Sequence, residues 1–182
     1  MGKNVVVEYE RKFLVKEIPK DILLNKYCST EIEQFYLGSK KDELCTRIRK
    51  STKKDESRYY LMMKYGELKS HLEYTKEISS TDYCDLIKFK GKSIIINKTR
   101  YIIPSQTNIN IKIELDIFHG NLKGLIIAEV EDVTGNTEII DNYIPESWFS
   151  TELTTDPHFY NKNLAYQYKK PHRNFLLNLF RK

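Results

Sequence analysis

The chain has 182 residues, 30% of them charged and 40% hydrophobic, and a formal net charge of +5. That length suits one domain with a core of its own, and so modest and dispersed a positive charge gives no ground for expecting a nucleic-acid partner. No apolar run approaches the roughly 18 residues of a membrane span, no signal-peptide core of sufficient length precedes Glu8, and Cys28, Cys45 and Cys84 lack zinc-site spacing, so the expectation is a cytoplasmic protein with three reduced thiols.

Strand patterns dominate the chain. Residues 5–15 open on β-branched side chains and pass into alternation. Runs at 33–37, 44–50 and 59–64 follow, divided by the polar stretches 38–42 and 50–57. A short helix is predicted over 19–27. Strands at 72–78, 94–103, 110–118 and 125–133 complete a set of about eight at the spacing of a barrel or sandwich. Between them Ser80-Thr81-Asp82 offers an N-cap before Tyr83, Leu86 and Ile87, with Gly91 as a stop. A further helix is predicted over 161–168. The expected fold is mainly β (α+β), an eight-stranded antiparallel closed barrel with a few flanking helices, since closure removes exposed sheet edges. It occupies residues 1–168 as one domain. Residues 169–182, with Phe175, Leu176, Leu179 and Phe180 at helical spacing, form a basic, apolar tail or short helix expected to pack on the barrel.

Six segments place charges two apart with mainly apolar neighbours between them, namely Glu8-Tyr9-Glu10-Arg11-Lys12, Arg47-Ile48-Arg49, Glu73 with Glu77, Lys98-Thr99-Arg100, Glu114-Leu115-Asp116 and Glu129-Val130-Glu131. On a strand, residues i, i+2 and i+4 share a face, so each segment carries charge on one side and apolar side chains on the other. One such segment is ordinarily a solvated face. Six of them, with like charges repelling at i and i+2, are costly without a ligand or interleaved counter-charge. If these faces and Lys64 point inward, the set holds six cations and eight carboxylates, a balance of −2 that two divalent ions would reverse in favour of a polyanion. Hard cations such as Mg²⁺ or Mn²⁺ take carboxylate and phosphate oxygens together, while Arg and Lys clamp the remaining oxygens.

Glu8-Tyr9-Glu10-Arg11-Lys12-Phe13-Leu14-Val15 resembles the ExExK signature that opens CYTH domains, the triphosphate tunnel metalloenzymes. In the same order, Arg47-Ile48-Arg49 resembles the RxR strand, Met62-Met63-Lys64 the strand ending in a tunnel lysine, and Lys98-Thr99-Arg100-Tyr101 the KxRY strand. Glu114-Leu115-Asp116 is similar to the ExD strand, residues 124–131 to GLxxAExE, and residues 154–164 to the closing TxDPxYxNxxL segment. The resemblance covers roughly residues 5 to 165 and is closest to the bacterial inorganic triphosphatase-like members. It implies an eight-stranded antiparallel tunnel and hydrolysis of a triphosphate compound with Mg²⁺ or Mn²⁺, two ions being expected. It assigns Glu8, Glu10, Glu114, Asp116, Glu129 and Glu131 to metal, and Lys12, Arg47, Arg49, Lys64, Lys98 and Arg100 to phosphate. Lys12 is expected to orient or deprotonate the attacking water. The family's Arg-x-Glu-x-Glu is replaced by His71-Leu72-Glu73-Tyr74-Thr75, which leaves the roles of Glu73 and Glu77 open.

Every placed residue serves inorganic tripolyphosphate, the expected substrate. A class IV adenylate cyclase commonly begins a strand with His-Phe, where this chain has Gln34-Phe35. Thiamine triphosphatase would need an aromatic wall, for which the thirteen tyrosines leave room. A non-catalytic polyphosphate- or nucleotide-binding module would keep the cations and could lose the carboxylates, all of which are present. No oligomeric state is implied.

Overall fold

The computed structural model describes residues 5–20, 22, 24–66, 70–106, 108–132, 134 and 136–167. The tail over 169–182 and the side chains of Glu8 and His71 lie outside the described residues.

The protein is mainly β. Its strands are β1 (Val5–Val15), β2 (Ser29–Leu37), β3 (Cys45–Lys53), β4 (Glu56–Gly66), β5 (Ser70–Ile78), β6 (Ile96–Pro104), β7 (Ile111–Phe118), β8 (Ile126–Asp132) and β9 (Phe149–Glu152). The helices are α1 (Ser80–Leu86), α2 (Thr137–Asp141) and α3 (Asn161–Gln167), with single 3-10 turns between elements. Nine strands, not the expected eight, form one sheet in the order β5-β4-β3-β2-β6-β7-β8-β1-β9, each pairing antiparallel. β9 escaped the sequence reading because its four residues are too few to show a period. β1 has two partners in succession, residues 5–9 pairing with 70–74 of β5 and residues 10–14 with 127–131 of β8.

The β3–β4 turn is shorter than the expected loop over 50–57. Both strands run on to Lys53 and Glu56, and Lys54 and Asp55 take φ of 48° and 66°. Positive φ at both central residues gives the turn a twist that matches the flanking strands. The helix expected over 19–27 reduces to a 3-10 turn at Leu24–Lys26. α1 forms where expected, but its cap is Ser79, whose Oγ accepts from Asp82 N while the Asp82 carboxylate accepts from Ser79 N. This reciprocal capping satisfies two otherwise orphaned donors.

Alternation sorts the side chains as the sequence implied. Phe13, Val15, Ile103, Ile113, Leu115, Ala128 and Val130 bury on the apolar face of β1, β6, β7 and β8, against Ile140 of α2 and Tyr143. Phe35 and Ile48, on β2 and β3, bury against Tyr83 of α1. On the opposite, charged face the strands turn apolar toward one end, where Leu14, Tyr36, Ile96, Phe118 and Ile127 cluster with Leu153, Phe159 and Leu164. Arg11 points away from that charged face. It donates to Glu152 of β9 and to the carbonyls of Ile140 and Tyr143, tying β9 and α2 to β1. Among the described residues no helix is long and apolar enough to cross a membrane.

Leu115 is fully buried in the first of these clusters, whereas Ile144 is 73% exposed. Leu115→Ala is expected to lower the unfolding free energy by about 2–5 kcal/mol. Ile144→Ala should change it by no more than about 0.5 kcal/mol. Urea denaturation followed by circular dichroism reads both.

Candidate functional site

The charged face encloses a cavity of about 300 Å³. Its lining contains Glu10, Lys12, Arg47, Arg49, Lys64, Arg100, Glu114, Glu129 and Glu131 of the residues expected at the site, together with Glu73. Register brings them together. On one wall Glu10 stands opposite Glu131 and Lys12 opposite Glu129 across β1 and β8. Glu114 stands opposite Glu129 across β7 and β8. On the other wall β3 supplies Arg47 and Arg49, β4 Lys64 and β5 Glu73, the last two directly paired.

Like charges face each other on the acidic wall, and interleaved cations offset them. Lys12 Nζ lies 3.0 Å from Glu129 and 3.4 Å from Glu10. Arg100 binds Glu129 and Asp116 at 2.6 Å each and also pairs with Glu114. Burial opposes the charge of Glu129, yet Lys12 and Arg100 hold its carboxyl well below the usual carboxylate range. Burial likewise opposes the Lys12 ammonium, but Glu129 and Glu10 outweigh it and raise Lys12 above the ordinary lysine value. The two carboxylates thus keep Lys12 a cation. Its backbone is fixed, since Lys12 N donates to Thr154 Oγ1 and Lys12 O accepts from Leu153 N.

On the basic wall Glu73 lies 2.8 Å from Lys64 and 3.6 Å from Arg47. Arg47 also donates to Met62 Sδ at 3.1 Å. Arg49 forms no ion pair among the described residues, and its shielded Nε has no hydrogen-bond partner there. Burial first, then Arg47 and Arg100, push the Arg49 guanidinium down to about 9. A cation so placed is stabilised by an incoming anion.

Two expected site residues do not border the cavity. Lys98 and Asp116 are fully buried beneath it, 2.5 Å apart, and Lys98 Nζ also lies 5.3 Å from the Phe118 ring. Burial lowers the Lys98 ammonium, with Arg100 adding to the effect. Asp116 receives both Nε and Nη2 of Arg100 at 2.6 Å, so it holds the guanidinium plane from below. Glu77 is exposed and stands outside the cavity. The lining also holds residues the sequence reading passed over, among them Lys112, Glu43, Tyr36, Cys45, Tyr160, Asn161 and Lys162. Lys112 was within reach of the alternation argument, two residues before Glu114 on the same face. Tyr160, Asn161 and Lys162 arrive by tertiary folding, Tyr160 placing its ring 5.5 Å from Lys12 Nζ. Among the described residues the lining has seven cations and six carboxylates; Glu8, one of the eight carboxylates in the expected balance of −2, lies outside them, so the two balances cover different residues.

The described residues contain no preformed group of three metal-ligating side chains. Mg²⁺ typically uses only one or two protein carboxylates, completing its shell with water and substrate phosphates. The opposed Glu10 and Glu131 provide such a donor pair, so the residues fit an ion whose remaining ligands are water and phosphate oxygens.

No family model matches the chain. It is 30% identical over 181 residues to the inorganic triphosphatase of Acetivibrio thermocellus, covering 96% of this chain and 99% of that protein. It is 29% identical over 160 residues to the inorganic triphosphatase of Nitrosomonas europaea, covering 88% of this chain and 97% of that one. The crystal structure of the inorganic triphosphatase NE1496 superposes with a TM-score of 0.62 at 29% identity, over 88% of this chain and 95% of that chain. Extended likeness to these relatives, together with the wall of cations facing a wall of carboxylates, places the chain in the inorganic triphosphatase family.

Proposed function

We propose that this protein hydrolyses inorganic tripolyphosphate to orthophosphate and pyrophosphate, with Mg²⁺ or Mn²⁺ as cofactor. The observation that carries the reading is Arg49, without an ion pair among the described residues, facing carboxylates across a cavity large enough for a small polyanion. The names of the relatives agree with it. We read the charged face as the inside of a tunnel, supported by the pairing of β5, at one end of the sheet order, with β1, next to last at the other. In this reading residues 5–167 act as one domain.

Arg47, Arg49 and Lys64 bind phosphate oxygens from one side, and Lys12 and Arg100 from the other. Glu10, Glu129 and Glu131 are the carboxylates for metal, with Glu114 beside them. Glu8 belongs with this group by sequence. A bound divalent ion supplies charge neutralisation and lowers the pKa of an attached water. Water adds to the terminal phosphorus as the bond to the bridging oxygen breaks, pyrophosphate carries away the released electron pair, and the proton lost by the water passes to solvent or to a phosphate oxygen. The cations already in place stabilise the charge that develops on the leaving oxygen without reorganising. Lys12 positions the water or the terminal phosphate as a cation. Lys98 and Asp116 hold Arg100 in orientation from beneath the cavity, in place of the direct contacts that the sequence motifs suggested for them.

Orthophosphate release with Mg²⁺ or Mn²⁺ should be faster from tripolyphosphate than from ATP, with little cyclic AMP formed. Cyclic AMP and pyrophosphate as the main products from ATP would replace this reading with that of a cyclase.

Arg49→Ala should raise KM for tripolyphosphate by about 10- to 150-fold, the equivalent of the roughly 1.5–3 kcal/mol of one charge-assisted contact, and leave Mn²⁺ affinity unchanged. Glu129→Gln removes the shared partner of Lys12 and Arg100 and should lower kcat by about 100-fold or more, with partial recovery at higher Mn²⁺. Steady-state kinetics across a metal titration separates the two patterns. Full activity of Glu129→Gln at limiting metal would remove that carboxylate from the site.

A further inference from the structure

Lys112 belongs to none of the charged segments first recognised in the sequence, yet it borders the cavity between two carboxylates on adjacent strands. Its Nζ lies 2.7 Å from Glu131 Oε2 and 3.1 Å from Glu114 Oε1. We propose that Lys112 is a built-in counter-ion, whose ammonium fills the place between Glu114 and Glu131 that a second divalent ion would take. The site therefore binds one metal ion instead of two. This inference rests on the divalent-ion reading above and specifies its stoichiometry.

Register fixes the arrangement. Lys112 shares a face with Glu114 on β7 and stands directly opposite Glu131 on β8. A divalent ion bridging those two carboxylates would need their oxygens at about 2.0–2.1 Å for Mg²⁺. The ammonium already draws on an oxygen of each, so the two cations compete for one position and repel when both are near it. The neighbouring pair is different. Glu10 faces Glu131 across β1 and β8, and its contact with Lys12 is the long one at 3.4 Å. Under this proposal Glu10 and Glu131 hold the one ion, with Lys112 on the side of Glu131 that faces Glu114. Charge balance points the same way. The expectation of two ions came from a deficit of cations, and the lining adds Lys112 and Lys162, against Glu43, to the groups counted there.

The test is the number of Mn²⁺ ions bound per chain, measured by equilibrium dialysis with the metal alone and electron paramagnetic resonance of the free ion. Wild type should saturate at one ion and Lys112→Arg also at one, because the cation is retained. Lys112→Met should bind two, and Lys112→Gln gives the same count if the methionine variant does not fold. Two ions on wild type, or a single ion on folded Lys112→Met and Lys112→Gln alike, would overturn the proposal. Orthophosphate release from tripolyphosphate by wild type is scored separately. A second ion gained by the variants without any hydrolysis by wild type would sink the reaction and leave the counter-ion standing, and the reverse result would do the opposite.

Discussion

Arg49 carries a half-buried guanidinium into the cavity, where no described carboxylate pairs with it, and the arrangement of charges around it follows from that placement. Removing an ion from water costs several kcal/mol unless charge or hydrogen bonds are returned to it. Elsewhere in the cavity they are returned. Lys12 and Arg100 share Glu129, Arg100 adds Glu114 and Asp116, and Lys64 has Glu73. Carboxylates pair with the cations of the acidic wall, whereas Arg49 on the other wall has no ion pair among the described residues. Tripolyphosphate offers several anionic oxygens on one short chain, which suits a wall of three neighbouring cations better than a single carboxylate would.

The apolar parts of the structure keep those charges where they are. Phe13, Leu115, Ala128 and Val130 bury on the reverse of the strands that carry the acidic wall, and Phe35 and Ile48 on the reverse of the basic one. A one-residue slip in any of these strands would exchange the buried side chains for the charged ones. Register is thus specified by burial, and the site inherits its geometry from the register. Deeper in the sheet, Leu14, Phe118 and Ile127 continue the charged face into an apolar end against Leu153 and Phe159. Lys98 and Asp116 sit at the boundary, where they are too deep to meet a ligand and well placed to fix Arg100.

Period-two alternation made the faces legible in the sequence before any coordinates, because it depends only on local backbone geometry. Glu10, Lys12, Arg47, Arg49, Arg100, Glu114, Glu129 and Glu131 all border the cavity for that reason. Alternation says nothing of depth along a strand. Lys98 and Glu77 lie on charged faces like the others, yet one is sealed beneath the cavity and the other is exposed beyond it. Lys112 was hidden because the charged segment was taken to begin at Glu114. Tyr160 and Lys162 could not be placed, since a segment near the end of the chain reaches the cavity only through tertiary packing. β9 is four residues long and is fixed by pairing with β1 and by the ion pair of Glu152 with Arg11, neither of which is a local signal.

If Arg49 is held at a cost in order to receive an anion, the unfolding free energy of Arg49→Met with and without tripolyphosphate reads that cost and its return. The folded-state pKa of Arg49 lies below its ordinary value, so near neutral pH its charge detracts from stability, and replacing it by an apolar side chain of similar length removes that loss. Without ligand the variant should be at least as stable as wild type. Added tripolyphosphate should stabilise wild type in proportion to its binding and leave the variant nearly unchanged. A variant that is less stable than wild type without ligand, yet gains as much from tripolyphosphate, would contradict the account.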